Sequence, residues 1–159
     1  MNQEDHKKHM CLAIREAGKN LKNMDGGPFG ACIVKNGKVI GLGRNTVLKN
    51  DATCHAEINA IRKASKKMGS FDLAGSVIYS TTEPCPMCFS AIHWARIGHI
   101  YYGTTIADAK AIGFNELYIS NKTMKKMGKS RIKLTPDLMR KECLELFKKW
   151  SILPNKELY

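Results

Sequence analysis

Short apolar runs alternate with amphipathic stretches along this chain, and the alternation leaves few folds open. Phe29 to Val34 and Val39 to Leu42 are separated only by Lys35-Asn36-Gly37-Lys38. Neither run is long enough to be a packed helix, and Asn-Gly supplies the positive φ of a tight turn, so the pair is expected to form a β-hairpin. Before it, Met10, Ala13, Ile14, Ala17 and Leu21 recur at steps of three and four, which predicts an amphipathic helix over Gln3 to Leu21. After it, His55 to Met68 repeats the helical spacing and meets a stop at Gly69. Ser76 to Ser80 and His99 to Gly103 are expected strands, and Met87 to Ile97, opening after Pro86, is the helix between them. The fold class is therefore α/β: a three-layer α/β/α domain around one mixed sheet, the hairpin antiparallel and the later crossover parallel.

The remaining segments are less patterned. Gly26-Gly27-Pro28 and Asn45 to Thr53 are expected loops. Thr105 to Ile119 reads as a helix interrupted at Gly113, Asn121 to Ile132 as a basic loop, and Pro136 to Trp150 as a closing helix. The tail, Ser151 to Tyr159, has no period. A length of 159 residues suits one domain, 1–159. The apolar runs are far shorter than the roughly 20 residues that cross a bilayer, and the first ten residues are too polar for a signal peptide, so a cytoplasmic protein is expected.

Six cysteines are dispersed except for one C-x-x-C pair, which argues for reduced thiols rather than a disulfide framework. Lys and Arg number 26 against 14 Asp and Glu, a formal charge of +12 that permits nucleic-acid binding. The basic residues group at Arg62-Lys63, Lys66-Lys67, Lys122 to Lys133 and Lys148-Lys149, beside turns or on polar helix faces with few aromatics between them, and so read as solvated surface.

Chemistry concentrates in two places. His55-Ala56-Glu57 opens one helix, and Pro84-Cys85-Pro86-Met87-Cys88 lies where a strand gives way to another, with Cys85 30 residues after His55. Cys85 and Cys88 stand at i and i+3, so one helical turn puts both sulfurs on one side, where exposed amides and the helix dipole favour thiolates. With His55 they make three ligands for Zn²⁺, and three protein ligands leave the fourth position for water, as in a catalytic rather than a structural site. Glu57 is the carboxylate beside it and the expected proton shuttle. A redox reading of the cysteine pair gives no work to His55 or Glu57, whereas the zinc reading employs all four. His6, His9, His93 and His99 have no partner at metal spacing and are expected at the surface or in packing.

The spacing H-x-E followed by P-C-x-x-C is the signature of zinc-dependent nucleobase deaminases. Beyond it, Gly27-Pro28-Phe29-Gly30-Ala31, Asn45, Asn50-Asp51, Glu83-Pro84, Trp94-Ala95-Arg96, Ala111-Ile112-Gly113-Phe114 and Tyr159 make nearly the whole chain resemble the bacterial guanine deaminases of the cytidine-deaminase superfamily. The resemblance implies a five-stranded mixed sheet, one zinc per chain and a homodimer whose C-terminal segments cross over to close each other's site. It implies Phe29 and Trp94 as aromatic pocket walls, Asn45 as a hydrogen-bonding partner of the purine, the Ala56 amide as a contact to its carbonyl oxygen, and Tyr159 as part of a lid. Where that family carries two aspartates after Gly-Phe, this chain has Asn115-Glu116, so Glu116 keeps the charge on a side chain one methylene longer.

The expected reaction is hydrolysis of guanine to xanthine and ammonia in purine catabolism or salvage. Guanosine is a rival substrate. A tRNA-specific adenosine deaminase, with the same zinc triplet and a use for the +12 charge, is the other enzymatic reading; a non-catalytic zinc- or RNA-binding module is the reading from another class.

Overall fold

The structure is a computed structural model that describes residues 2–159. In chain order its elements are α1 (Gln3–Gly18), α2 (Asn20–Asn23), β1 (Gly30–Lys35), β2 (Lys38–Arg44), α3 (Ala56–Met68), β3 (Ser76–Thr82), α4 (Pro86–Trp94), β4 (His99–Thr104), α5 (Ile106–Ala111), α6 (Asn121–Met127), β5 (Lys133–Thr135) and α7 (Arg140–Ser151). The five strands form one sheet in the order β2-β1-β3-β4-β5. β1 is antiparallel to both β2 and β3, while β3, β4 and β5 run parallel, so the sheet is mixed as expected.

The hairpin turns at Asn36 and Gly37, whose φ values of 50° and 72° are those of the tight turn its sequence calls for. β1 is buried on both faces. Ala31 and Ile33 pack with α3 and α4 through Ala56, Ala60, Ala64, Phe89 and Ile92, whereas Cys32 and Val34 pack with Met10 and Ala13 of α1 and Cys143 of α7. Helices thus cover both sides of the sheet. On β2, a Cβ at Gly43 would stand 2.2 Å from the Ala56 carbonyl oxygen, so the missing side chain is what lets α3 lie close against the strand.

Four segments depart from expectation. The basic stretch after Ser120 is not all loop: Asn121–Met127 is helical, started by the Ser120 hydroxyl, which accepts the Thr123 N–H. The three-residue β5 went unread because a strand that short, followed at once by Pro136, has no period to detect. The closing helix begins at Arg140 rather than Pro136, because Asp137 and Met139 adopt positive φ and break the helical path. The Thr105–Ile119 stretch likewise stops at Ala111, and Gly113, with φ 106°, turns the chain into an irregular segment. Among the described residues no helix is long and apolar enough to cross a membrane.

Candidate active site

The two motifs of the sequence meet at the N-termini of α3 and α4. His55 is the N-cap of α3 and Cys85 the N-cap of α4, with Pro86 as its first residue; neither side chain caps its own helix, so both are free to face each other. His55 Nδ1 lies 3.6 Å from Cys85 Sγ, and the ligand atoms of His55, Cys85 and Cys88 all lie within 4.8 Å of one another. Tetrahedral zinc, with bonds of about 2.3 Å to sulfur and about 2.0–2.1 Å to nitrogen, needs an S–N edge of about 3.6 Å. The donor set fits zinc in both chemistry and spacing.

The electrostatics agree with that fit. A hydrogen bond from Cys88 outweighs burial and, with His55, brings the Cys85 thiol down to about 4, so Cys85 is an anion at neutral pH. Burial pushes the Cys88 thiol up, and deprotonating it requires a cation nearby. Burial opposes charge on His55, but the adjacent Cys85 thiolate outweighs it and raises the imidazole. Glu57, in the first turn of α3, is 6% exposed and is raised by burial. A raised carboxylate is suited to carry a proton.

A cleft of about 290 Å³ opens over these groups, at the small end of the ~300–1,000 Å³ typical of small-molecule sites. Glu116 lines it, and burial together with the Cys85 charge pushes its carboxyl up to about 7. Phe29 and Phe114 meet edge to face across it, ring centroids 4.8 Å apart. Asn45 accepts the Val47 N–H at 3.0 Å and the Tyr159 hydroxyl at 2.7 Å, both on Oδ1. Because the Val47 amide can only donate, the amide orientation of Asn45 is fixed and Nδ2 is the donor left for a ligand. Tyr159 is held at both ends: its hydroxyl also accepts the Gly27 N–H at 2.9 Å, and its backbone oxygen accepts the Asn115 N–H at 3.0 Å.

The family model described as the cytidine and deoxycytidylate deaminase zinc-binding region matches residues 3–104, which include His55, Glu57, Cys85 and Cys88. This chain belongs to the cytidine and deoxycytidylate deaminase family. Guanine deaminase from Bacillus subtilis is 38% identical over 98% of this chain and 99% of its own. The solved structure of that enzyme superposes with a TM-score of 0.68, covering 100% of this chain and 99% of that one. A structure of guanine deaminase from Nitrosomonas europaea gives a TM-score of 0.83 at 27% identity, over 92% of this chain and 85% of that one. A tRNA-specific adenosine deaminase from Buchnera aphidicola is 35% identical over 75% of this chain and 76% of its own.

Within this deaminase-family chain the fold brings His55, Glu57, Cys85, Phe29, Asn45, Glu116 and Tyr159 to one cleft, with Cys88 grouped with His55 and Cys85 and with Ala56 opening α3 between His55 and Glu57. It does not bring Trp94 there. α4 carries Trp94 away from Cys85 and Cys88 to the opposite end of the helix, where the ring is 75% exposed and lines a separate groove with His93 and Met124. The tail returns to the cleft of its own chain, where Tyr159 meets Gly27 and Asn45. Val47, Ala52, Thr82, Glu83, Phe114 and Asn115 line the cleft without having been singled out by role. Glu83 stands in the quoted Glu-Pro-Cys segment; its carboxylate accepts the Asn121 N–H at 2.8 Å and so ties α6 to the turn that leads to Cys85. The loop residues had no detectable signal, since loop closure sets their position.

Proposed function

We propose that residues 1–159 act as one cytoplasmic zinc-dependent deaminase domain that hydrolyses guanine to xanthine and ammonia in purine catabolism or salvage, with one zinc per chain held by His55 Nδ1, Cys85 and Cys88. The observation that carries the reading is the convergence of the carboxylates Glu57 and Glu116 with the Asn45 amide in one small cleft beside that ligand set. Zinc bound there supplies Lewis acidity that brings the pKa of a water toward neutrality. Glu57 takes one proton of the attacking water and passes it to the ring nitrogen beside the amine-bearing carbon as the oxygen bonds that carbon. The remaining hydroxyl proton then passes to the amine, the C–N bond breaks, and ammonia leaves a carbonyl behind. Asn45 Nδ2 donates to a purine acceptor, the Ala56 amide meets the purine carbonyl oxygen, and Phe29 with Phe114 bounds the ring. Glu116, held near neutrality by its surroundings, takes part in proton transfer at the amine. Tyr159 closes the cleft and excludes water. In a homodimer, exchange of tails between two copies would make the same contacts across the pair.

The +12 charge favours a second reading, deamination of an adenosine in tRNA. Ammonia release from guanine, guanosine, adenine, cytosine, cytidine and an adenosine-bearing tRNA stem-loop separates the two. Guanine should be turned over fastest and with little dependence on salt. Stem-loop turnover that exceeds guanine turnover and collapses between ~50 and ~200 mM salt would replace this reading with the second.

A further inference from the structure

Glu57 has a partner outside the metal set. The Ser80 hydroxyl donates to Glu57 Oε1 at 2.8 Å, and both residues are buried, Ser80 at 2% and Glu57 at 6% exposure. Ser80 sits on β3, the central strand, paired with Ala31 of β1 on one side and Tyr102 of β4 on the other, so its backbone is fixed from both edges. The contact spans two layers and depends on how close α3 lies: the Cβ-free Gly43 of β2 lets the helix approach the sheet at Ala56 and Ala60. The neighbouring strand hydroxyls serve the fold instead, Thr81 accepting the Gly30 N–H and Thr82 bonding Thr104. Cys88 packs beside the same carboxylate but is committed to the ligand set.

From this geometry we infer that Ser80 is a positioning residue for Glu57: its hydroxyl holds Oε1 and so aims the other carboxylate oxygen, Oε2, into the cleft that Glu57 lines. The inference rests on the deaminase reading above. A carboxylate bound at one oxygen has lost its free rotation about the last side-chain torsion. A misplacement of about 1 Å in a proton-transferring group is enough to cost up to ~10²-fold in rate. Substrate binding draws on other side chains, so Ser80 should act on kcat and leave KM alone.

The test measures kcat, KM, zinc content and unfolding temperature for Ser80→Ala, Ser80→Thr, Glu57→Gln and the double variant Glu57→Gln/Ser80→Ala, using whichever amine of the panel the parent deaminates fastest. Ser80→Ala should lower kcat about 10-fold with KM within about twofold and zinc content unchanged. Ser80→Thr, which keeps the hydroxyl opposite the small Ala31, should restore most of the rate. In the Glu57→Gln background Ser80→Ala should have no further effect on kcat, because the group it positions is already inactive. A parental kcat in Ser80→Ala, or an equal loss in both backgrounds, overturns the inference. If the fastest amine is not guanine, the substrate assignment fails while the Ser80 effect is still read; a parent that deaminates nothing overturns both.

Discussion

The Tyr159 hydroxyl lies 2.7 Å from Asn45 Oδ1, so a side chain lining the cleft is steadied by a residue 114 positions further along the chain. The same hydroxyl accepts the Gly27 N–H, which links the tail to the loop that enters β1. Deleting Leu158 and Tyr159 should therefore leave zinc content and unfolding temperature nearly unchanged and lower kcat/KM for guanine by ~10-fold or more, equivalent to ~1.4 kcal/mol of transition-state binding. Tyr159→Phe, which keeps the ring against Phe114, should lose about 1 kcal/mol, roughly fivefold. Steady-state kinetics decide it, and a truncated chain with parental kcat/KM would reduce the tail to a frayed end.

Metal and activity should fall together when a ligand is removed. Purified protein should contain one zinc per chain, and Cys85→Ala or Cys88→Ala should lose both the metal and turnover, since two ligands cannot replace the three brought together here. Metal analysis alongside the ammonia assay is the check. Full activity after exhaustive chelation, with no metal detected, is the contrary outcome.

Glu57→Gln separates proton transfer from metal binding. The amide keeps the size of the side chain and can still accept the Ser80 hydroxyl, so fold and zinc should survive. Loss of the titrating oxygen should lower kcat by ~10²- to 10⁴-fold with purine binding retained. Deamination at the parental rate would remove Glu57 from the acid–base role.

Stability at low pH should depend on Asp108. Arg140 of α7 donates to both its oxygens, at 2.7 and 2.9 Å, and these hydrogen bonds, with those from Thr105, bring the carboxyl down from 3.8 to about 2. A lowered carboxylate stabilises the fold above its unfolded value and loses that contribution as pH falls through the folded value. Arg140 is partly exposed, so solvent screening limits the effect to about 1 kcal/mol. Denaturant unfolding should show Asp108→Asn weaker than the parent by that amount at pH 7, with the gap shrinking between about pH 4 and pH 2. A gap that is the same at every pH would assign the loss to packing.

Much of the fold was legible because its signals are local. The Asn36-Gly37 turn, the Gly69 stop with its φ of 65° and Pro86 at the start of α4 each act within a few residues. β5 escaped because a three-residue strand forms only when β4 offers an edge to pair with, at Ile100 and Leu134. α6 escaped because a lysine-rich surface helix carries no apolar stripe; its place is fixed instead by Asn121, whose amide and side chain are held by Glu83 and the Pro84 carbonyl.

By itself the sequence determined the chemistry. A histidine, a glutamate and a C-x-x-C pair at helix starts supply donors suited to zinc and a carboxylate beside them, because donor identity and the i, i+3 spacing are local properties. Only the tertiary structure decided which distant side chains share the cleft. Tyr159 reaches Asn45, Ser80 reaches Glu57 and Glu116 is drawn into the cleft, whereas Trp94, fixed at the far end of α4, is carried to the surface. Those distances depend on how the layers stack and how the chain closes its loops, and residues far apart along a chain carry no periodic signal of where closure will bring them.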